Sequence, residues 1–528
     1  MNIFAKIAPN WVLKRELAKT KLAAIDKAKM YMSGSGYAGA GASTSKRNFL
    51  GWKPFSQTAD QDITANLPIL RNRSRALYVG GGLPRGAINK LVTNVVGSGL
   101  MLNSQIDYNY LGISRDEASQ IERTIEREFK LWADDKYSCD IGNSVNFYEM
   151  QGLAFLSMLM SGDCFVLLPQ KLRSGNSYRL KLQLLESDRV TNPINPDITK
   201  DILEGIESDT YGAPIAYHIK QRNSPLDHET KFARVEAYTK NGRANVLHLM
   251  TRERPEQRRG IPLISGIIEQ VKQLTRYADA ELDAAVLSAF FTIFIKKSAP
   301  EYNAEWTPPT ESESEGQADP SGMESPNEKP TDMKLAPGAI HELDEGESIE
   351  IANPSRPNQQ FDAFTTAIIR QIGVAIEVPY EVLVQHFQSS YSASRAAILQ
   401  AWQMFYNRRD WLIANFCLPV YKEWMTEAVV FGRLSLPGFL DNPLARQAWL
   451  GVNFYGSSMP EIDPVKAVNA ATKRIDEGLS TREREAMTLT GMNFDEIVGT
   501  RIAEEKNMNE IRQIINKTNL QQGTLANG

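Results

Sequence analysis

The chain has 528 residues, of which 42% are apolar and 23% charged, as in ordinary globular proteins built of two to four domains. Its formal net charge is −4 and its isoelectric point is about 5.9. These values argue against tight binding of nucleic acid by the whole surface, which requires a strong basic excess. Three cysteines stand far apart, which argues against a disulfide framework or a cysteine-rich zinc site and favours buried thiols in a reducing compartment.

The amino-terminal 60 residues are predicted to be a basic arm followed by a flexible linker. Residues 1–30 carry seven Lys or Arg and two Asp or Glu without a continuous apolar stretch, so they predict a basic amphipathic helix and not a signal peptide. A solvated surface helix fits this pattern, and so does an arm that touches a partner or the DNA backbone. Residues 33–60 are rich in Gly, Ser and Ala, as flexible linkers are.

Helical patterns dominate the next hundred residues. Ser114 and Glu117 form a capping box at the start of one of these patterns. The three predicted helices are Ile69–Val96, interrupted at Gly80–Pro84 and ended by Gly97–Gly99, then Ser114–Ala133, and then Phe147–Ser161.

The pattern changes to short apolar or alternating runs between residues 163 and 250. Turn residues such as Asp209–Gly212 separate these runs, which predicts an antiparallel sheet. The predicted strands are Cys164–Leu168, Leu180–Leu185, Ile202–Ile206, Ile215–Ile219, Val235–Tyr238 and Val246–Met250. The predicted fold class is therefore α+β, mainly helical, with one β-rich insertion.

Two long helical patterns flank an acidic segment. The first covers 263–297, and about 33 residues at 1.5 Å each give a rod of about 50 Å. The second covers 358–377 and is ended by Pro379. Between Glu301 and Glu350 the local net charge is −12, and order is predicted to return with a strand over 346–351. The two helices are expected to pass each other as an antiparallel pair, with the insertion at the far end.

The acidic segment fits two interpretations. A solvated linker is the simpler one. In the other, several such segments around an axis form a negative collar that repels DNA and lets it pass.

The last third of the chain is predicted to be helical. A polar loop, Gln385–Ser394, precedes a long helix over Arg395–Phe431 that breaks at Pro419. A helical tail follows over Pro464–Asn519, with Ser480 or Thr481 capping a helix after a turn.

The chain offers no convincing catalytic, cofactor or metal site. Gly34–Gly39 matches the dinucleotide fingerprint by letter, but a basic helix precedes it where a strand is needed. Gly80–Gly86 lacks the Lys and Ser or Thr of a phosphate-binding loop, so ATP hydrolysis is not expected. The five histidines show no ligand spacing, and Asp134–Asp135 is better explained as a solvated helix end than as a metal site. A structural protein is therefore favoured over an enzyme.

Several short segments, in this order along the chain, carry a similarity to one known family. They are Arg71–Leu77, Asn94–Gly97, Gly162–Val166, Leu182–Val190, His248–Pro262, Pro354–Pro357 with Phe361 and Phe364, Tyr391–Arg395, Trp449 and Ile462–Ala467. Together these segments resemble the portal proteins of tailed bacteriophages, of the lambda-like type. Departures from the common pattern of that family are Ala393 in place of a serine and a long acidic stretch.

The resemblance implies the portal fold and a homo-oligomeric ring, usually of twelve subunits, at one vertex of the viral head. It implies a wing, a stem, a clip and a crown in each subunit. The expected boundaries are 1–60 for the arm and linker, 61–262 for the wing with its β-rich part at about 163–250, 263–297 for the first stem helix, 298–355 for the acidic clip, 356–378 for the second stem helix, 379–464 for the tunnel loop and long wing helix, and 465–528 for the crown.

The resemblance also implies a passive, non-catalytic channel for double-stranded DNA without a cofactor. The implied partners are further copies of the chain, the terminase large subunit, a head-completion adaptor, and capsid and scaffold proteins; no membrane is expected. The implied location is the virion, after assembly in the host cytoplasm. Another phage structural protein, of tail or capsid, is the alternative. A DNA-packaging enzyme such as a terminase or nuclease is disfavoured, because the sequence lacks a phosphate-binding loop and an acidic metal cluster.

Three sets of site residues are predicted along with this resemblance, and for the arginines among them solvated surface positions are the alternative. The DNA-facing tunnel loop is assigned Gln385, His386, Gln388, Ser389, Ser390 and Tyr391; salt links within the wing or between subunits are assigned to Arg254, Arg258, Arg259 and Arg395; and the clip surface for partners is assigned Glu311, Glu313, Glu315 and Asp319.

Overall fold

The structure is a computed structural model that describes residues 17–22, 47–49, 56–197, 199–221, 231–289, 293–297, 347–351, 360–387, 390–459, 463–492 and 494–525. The chain divides into two units, residues 1–62 and residues 63–528. Residues 17–22 are helical, Arg47–Phe49 form a 3₁₀ helix, and helix α1 covers Ala59–Thr64. The features discussed below all lie in the second unit.

Helices make up most of the second unit. A π-helical turn, Ile413–Cys417, joins α11 to α12. In chain order the helices are α2 (Leu67–Gly80), α3 (Gly82–Val95), α4 (Tyr108–Leu111), α5 (Arg115–Ala133), α6 (Lys136–Cys139), α7 (Phe147–Ser161), α8 (Ile268–Ala289), α9 (Phe361–Ala375), α10 (Tyr380–Val384), α11 (Tyr391–Leu412), α12 (Leu418–Val430), α13 (Pro443–Trp449), α14 (Pro464–Asp476), α15 (Arg482–Thr490) and α16 (Phe494–Leu525).

The strands form small antiparallel sheets. One sheet has the order β3-β2-β8, a second has the order β4-β5-β6-β7, and two further pairs are β1 with β11 and β9 with β10. The strands are β1 (Met101–Ser104), β2 (Asp163–Leu167), β3 (Gln183–Glu186), β4 (Asp201–Leu203), β5 (Ile206–Ser208), β6 (Pro214–Lys220), β7 (Phe232–Glu236), β8 (Val246–Met250), β9 (Ile293–Lys297), β10 (Glu347–Ile351) and β11 (Val452–Tyr455).

Local sequence signals are confirmed at several helix ends. The capping box of Ser114 and Glu117 is present at the start of α5, and α7 has the predicted bounds. Thr481 caps α15 by accepting a hydrogen bond from the Arg484 amide. The α+β, mainly helical fold class is also confirmed.

The first long helix is shorter than predicted. Helix α8 ends at Ala289, so its 22 residues span about 33 Å, and the continuous helix expected over 263–297 is wrong. Residues 293–297 instead form β9, which pairs with β10 from the far side of the acidic segment. Ile293, Phe294 and Ile295 are β-branched or aromatic, which favours a strand once a partner strand is available.

The β-rich region consists of two sheets, where the sequence predicted a single sheet. The strand expected over Ile202–Ile206 is in fact two strands, β4 and β5, joined by a tight turn at Glu204 and Gly205. Gly205 has φ of +81°, and a side chain there would lie 2.5 Å from the Thr191 amide nitrogen, so the turn requires glycine.

The long helix after the polar loop is continuous past the predicted break. Pro419 lies in the first turn of α12, where its missing N–H is tolerated, and the π-helical turn just before it absorbs one extra residue. The helix also begins at Tyr391, four residues before its predicted start.

An aromatic core joins the first half of the unit to the second. Phe129 of α5 lies 5.0 Å from Trp424 of α12 between ring centroids, and Phe147 of α7 stacks on Phe416 at 5.6 Å. These rings are fully buried, and each contributes a large apolar area to stability. The core therefore fixes α12, and with it the end of α11, against α5 and α7.

Candidate nucleic-acid-facing loop

The polar loop after α10 starts with a sharp change of chain direction. Gln385 has φ of +57° and ends α10, with its amide and that of His386 donating to the Glu381 carbonyl. Gln385, His386 and Phe387 are all exposed. A five-residue helix is marginal by itself, so this geometry depends on contacts from outside the loop.

The returning limb of the loop is capped by a serine. Ser390 accepts a hydrogen bond from the Ala393 amide at 3.4 Å and begins α11. Residues 391–394 are therefore helical, which corrects the loop predicted to extend to Ser394. Tyr391 is exposed on the first turn, and Arg395 donates to its hydroxyl at 3.4 Å. Gln388 and Ser389 lie outside the described residues.

Two cations join α3 to the helices on either side of the loop. Lys90 of α3 donates to the carbonyls of Val382 and Leu383 at 2.7 and 2.6 Å, at the end of α10. Arg409 of α11 donates from Nε to the Val95 carbonyl at 2.9 Å, at the end of α3. Burial lowers the pKa of Lys90 and that of Arg409 from their ordinary values. Carbonyl oxygens replace the water molecules that both cations lose on burial, and these hydrogen bonds offset the cost of desolvation.

A buried charge cluster lies beneath α2. The Asp163 carboxylate, at the start of β2, is fully buried and accepts from Arg71 at 3.0 and 3.1 Å and from Arg259 at 2.7 and 3.2 Å. The two guanidinium groups, chiefly that of Arg259, together with the His248 ring hold the pKa of Asp163 well below its ordinary value despite burial. We call Arg71, Asp163 and Arg259 the buried cluster.

The buried cluster connects segments that are far apart in sequence. Arg259 also donates to the carbonyls of Ser187, Val190 and Glu204, at 2.9, 2.8 and 2.6 Å. Arg71 adds a bond to the Ser161 carbonyl at the end of α7. Through its two arginines, the Asp163 carboxylate thus connects α2, α7, the two sheets of the β-rich region and the loop before α8.

Arg258 and Arg254, which were also predicted to form salt links, are less buried than Arg259. Arg258 lies 2.9 Å from Asp201 and is partly exposed, whereas Arg254 lies on the exposed turn that Gln257 braces by accepting from the Arg254 amide at 3.2 Å. Their assignment to links between subunits stays a prediction. Glu311, Glu313, Glu315 and Asp319, predicted for the clip surface, lie outside the described residues.

Helices α8 and α9 pack against each other through aromatic rings. Tyr277 of α8 stacks on Phe361 at 5.4 Å and meets Phe364 edge-on at 5.0 Å between centroids. Further along α8, the Leu282 side chain is 64% exposed and Val286 48%. An apolar stripe thus continues beyond the contact between the two helices.

A family model described as phage portal protein, lambda family, matches residues 45–409, well over half of the chain. The chain belongs to this portal family. Portal proteins are structural components of phage particles at a capsid vertex.

Curated relatives agree with this family. The chain is 24% identical over 477 residues to portal protein B of Escherichia phage lambda, covering 89% of each chain. It is 24% identical over 477 residues to the portal protein of Escherichia phage N15, covering 89% of this chain and 90% of that one. A probable portal protein of Halomonas phage phiHAP-1 is 25% identical over 453 residues, covering 84% and 82% of the two chains.

Two solved structures are also similar to this portal-family chain. One is the neck of a native gene transfer agent particle computed with C12 symmetry, at TM-score 0.40 and 14% identity, over 80% of this chain and 93% of that one. The other is the neck of the empty particle computed with C6 symmetry, at TM-score 0.42 and 13% identity, over the same shares of 80% and 93%.

Sequence reasoning gave no role to Arg71, Asp163, Lys90 or Arg409. One signal was available for Asp163, an aspartate at the head of an otherwise apolar strand, because a buried charge needs a partner. Lys90 and Arg409 bind main-chain carbonyls. Because every residue has such a carbonyl, the sequence does not reveal these contacts. Within the described ranges of this portal-family chain there is no cluster of metal-binding side chains and no helix long and apolar enough to cross a membrane.

Proposed function

We propose that copies of this chain form a closed ring, of about twelve subunits, that conducts double-stranded DNA through a phage capsid vertex. The family match over residues 45–409 carries this proposal. Our proposal assigns residues 61–262 to the wing, α8 and α9 to the stem, 298–355 to the clip and 465–528 to the crown. It gives the chain no enzymatic activity of its own.

The loop from Gln385 to Ser390 is our candidate for the surface that meets DNA. Gln385, His386 and Ser390 offer hydrogen-bonding side chains that reach phosphates without a permanent positive charge. Phosphate contacts position a duplex without reading its sequence, and a grip strong enough to stall movement needs many Lys or Arg contacts. Such a loop suits a duplex that must slide.

The exposed stripe on α8 supports a contact with a neighbouring copy. In a ring, each subunit presents one face to the next subunit and a different face to the previous one. Leu282 and Val286 leave apolar surface for such a neighbour on the helix pair.

The partners proposed for the clip are the terminase large subunit during packaging and a head-completion adaptor afterwards. Capsid and scaffold proteins are proposed to surround the ring. The DNA motor is then a separate ATPase, and the ring is assembled in the host cytoplasm and retained in the virion.

Native mass measurement together with end-on electron-microscopy averages of the purified protein tests the ring. The expected result is a closed ring of about a dozen subunits with a central opening. An open filament or an icosahedral shell would overturn the proposal.

A further inference from the structure

The helices that precede and follow the loop from Gln385 to Ser390, α10 and α11, are both attached to α3. On the incoming side, the Lys90 ammonium group binds the Val382 and Leu383 carbonyls at 2.7 and 2.6 Å. These carbonyls belong to the last turn of α10, where helix carbonyls lack partners and attract a cation. Lys90, which is not part of the loop, therefore satisfies the carbonyls at the carboxyl-terminal end of α10.

On the outgoing side, the cation belongs to α11 and the carbonyls belong to α3. Arg409 lies on α11, and it donates to the Asn94 and Val95 carbonyls at the end of α3, each at 2.9 Å. A third bond reaches the Ser457 carbonyl at 2.8 Å. The guanidinium group also lies over the Trp402 ring of the same helix, 5.8 Å from its centroid. Helix α11 is thus fixed by its last turn to the end of α3, one turn beyond Lys90.

Helix α3 is itself firmly placed. Its Ile88, Leu91 and Val95 side chains are fully buried. It follows α2 after the single non-helical residue Gly81, where an added side chain would lie 2.7 Å from the Leu77 carbonyl oxygen. Helix α2 in turn is held by Arg71 in the buried cluster. Since a packed helix moves as a unit, α3 can act as a fixed base for both α10 and α11.

We propose that Lys90 and Arg409 are positioning residues that fix the flanking helices α10 and α11 on α3, so that α3 determines how far the loop extends toward DNA. Residues of the loop touch the duplex, whereas Lys90 acts through the carbonyls of α10. Arg409 acts by joining α11 to the end of α3. This inference rests on the proposed function, because it adds a support to the loop assigned there to DNA.

Lys90 is the more direct position to test, because its substitution leaves the aromatic core intact. Full-length rings of Lys90→Met, Lys90→Arg and the unaltered chain are compared by hydrogen exchange of the Gln385 and His386 amides. These amides donate to the Glu381 carbonyl, so their exchange rates report whether the last turn of α10 is intact. Loss of a charge-assisted bond is expected to speed their exchange about tenfold in Lys90→Met. Lys90→Arg, which keeps a cationic donor, is expected to restore slow exchange.

The matched control is Lys422→Met, which removes an exposed lysine from α12 and is expected to leave the loop amides unchanged. Lys90→Gln gives the same comparison if Lys90→Met does not assemble. Equal exchange in the unaltered, Met and Gln proteins would overturn the inference, and so would a failure of Lys90→Arg to slow exchange.

A second readout separates this inference from the proposed function. Heads assembled with Lys90→Met are expected to package severalfold less DNA than heads with Lys422→Met, although both proteins form rings. If heads with the unaltered chain do not package DNA, the proposed function fails while the exchange result still decides the role of Lys90. Packaging equal to that of the control would contradict the role of Lys90 in placing the loop.

Discussion

Arg259 Nε lies 2.7 Å from Asp163 Oδ2, and neither side chain is accessible to solvent beyond 2%. The pair joins the strand that starts the β-rich region to the loop that leads into α8. Arg71 shares the same carboxylate from α2. In a buried cluster of this kind the net gain over apolar residues is small, but removal of one member leaves an uncompensated charge.

We therefore expect Arg259→Met to lower the free energy of unfolding by about 3–5 kcal/mol. Urea unfolding of the purified chain, followed by tryptophan fluorescence, measures this change. Arg258→Met is the matched control, because Arg258 pairs with the exposed carboxylate of Asp201 and its loss should cost clearly less than that of Arg259. Similar losses in the two variants would contradict the structural role of the buried cluster.

Acid should destabilise the four-stranded sheet through Glu207. Arg234, by hydrogen bonding, lowers the pKa of Glu207 from 4.5 to about 2, with a further contribution from Lys200. A depressed folded-state pKa gives stability that is present above the unfolded value and is lost as the pH falls through the folded one. Unfolding temperature should therefore fall between about pH 4.5 and pH 2, and Glu207→Gln should flatten that slope.

Glu236→Gln provides the control for this pH profile. Its carboxylate lies 3.8 Å from Arg234, but its side chain is 61% exposed, so it should change the profile little. A Glu207→Gln profile parallel to that of the unaltered chain would show that Glu207 does not cause the loss.

The cysteine thiols are expected to be inert in the folded protein. Cys139, Cys164 and Cys417 are buried, and burial raises the pKa of Cys139 and of Cys164 to about 12 and that of Cys417 further. Because the thiolate is the reactive form, a thiol reagent at pH 8 should label almost no cysteine in the native chain and all three in denaturant. Rapid labelling of the native chain would contradict this burial.

The apolar stripe on α8 should be needed for assembly. Leu282→Lys places a charge where the proposal puts a neighbouring copy, so ring formation should fall strongly in native mass spectra while the unfolding temperature of the single chain stays unchanged. Leu172→Lys changes a side chain of similar exposure, 61%, in the loop after β2 and should assemble normally. Normal rings from Leu282→Lys would remove α8 from the interface.

Much of the fold could be predicted because its signals are local. The capping box at Ser114 and the apolar pattern of α7 specify helices within a few residues. The pairing of β1 with β11 could not be predicted, because it joins residues 101–104 to residues 452–455. Residues 293–297 were misassigned for the same reason, since their strand forms only with β10.

The candidate site was predicted less completely than the fold. The loop at Gln385 was located because polar residues follow a proline-ended helix. Its attachment to α3 was missed, since Lys90 contacts carbonyls almost 300 residues away, and any lysine on an amphipathic helix looks solvated.

The position of the loop relative to DNA tests the central claim most directly. DNA-filled heads are assembled with His386→Cys, labelled with a photo-crosslinker, or with Tyr211→Cys as control. Tyr211 is 95% exposed at the tip of the β5–β6 hairpin, far along the chain from the loop, and the buried native thiols should not compete for the label. We predict crosslinks to packaged DNA from position 386 and none from position 211. Filled heads in which position 386 gives no more crosslinks than position 211 would contradict a DNA-facing loop.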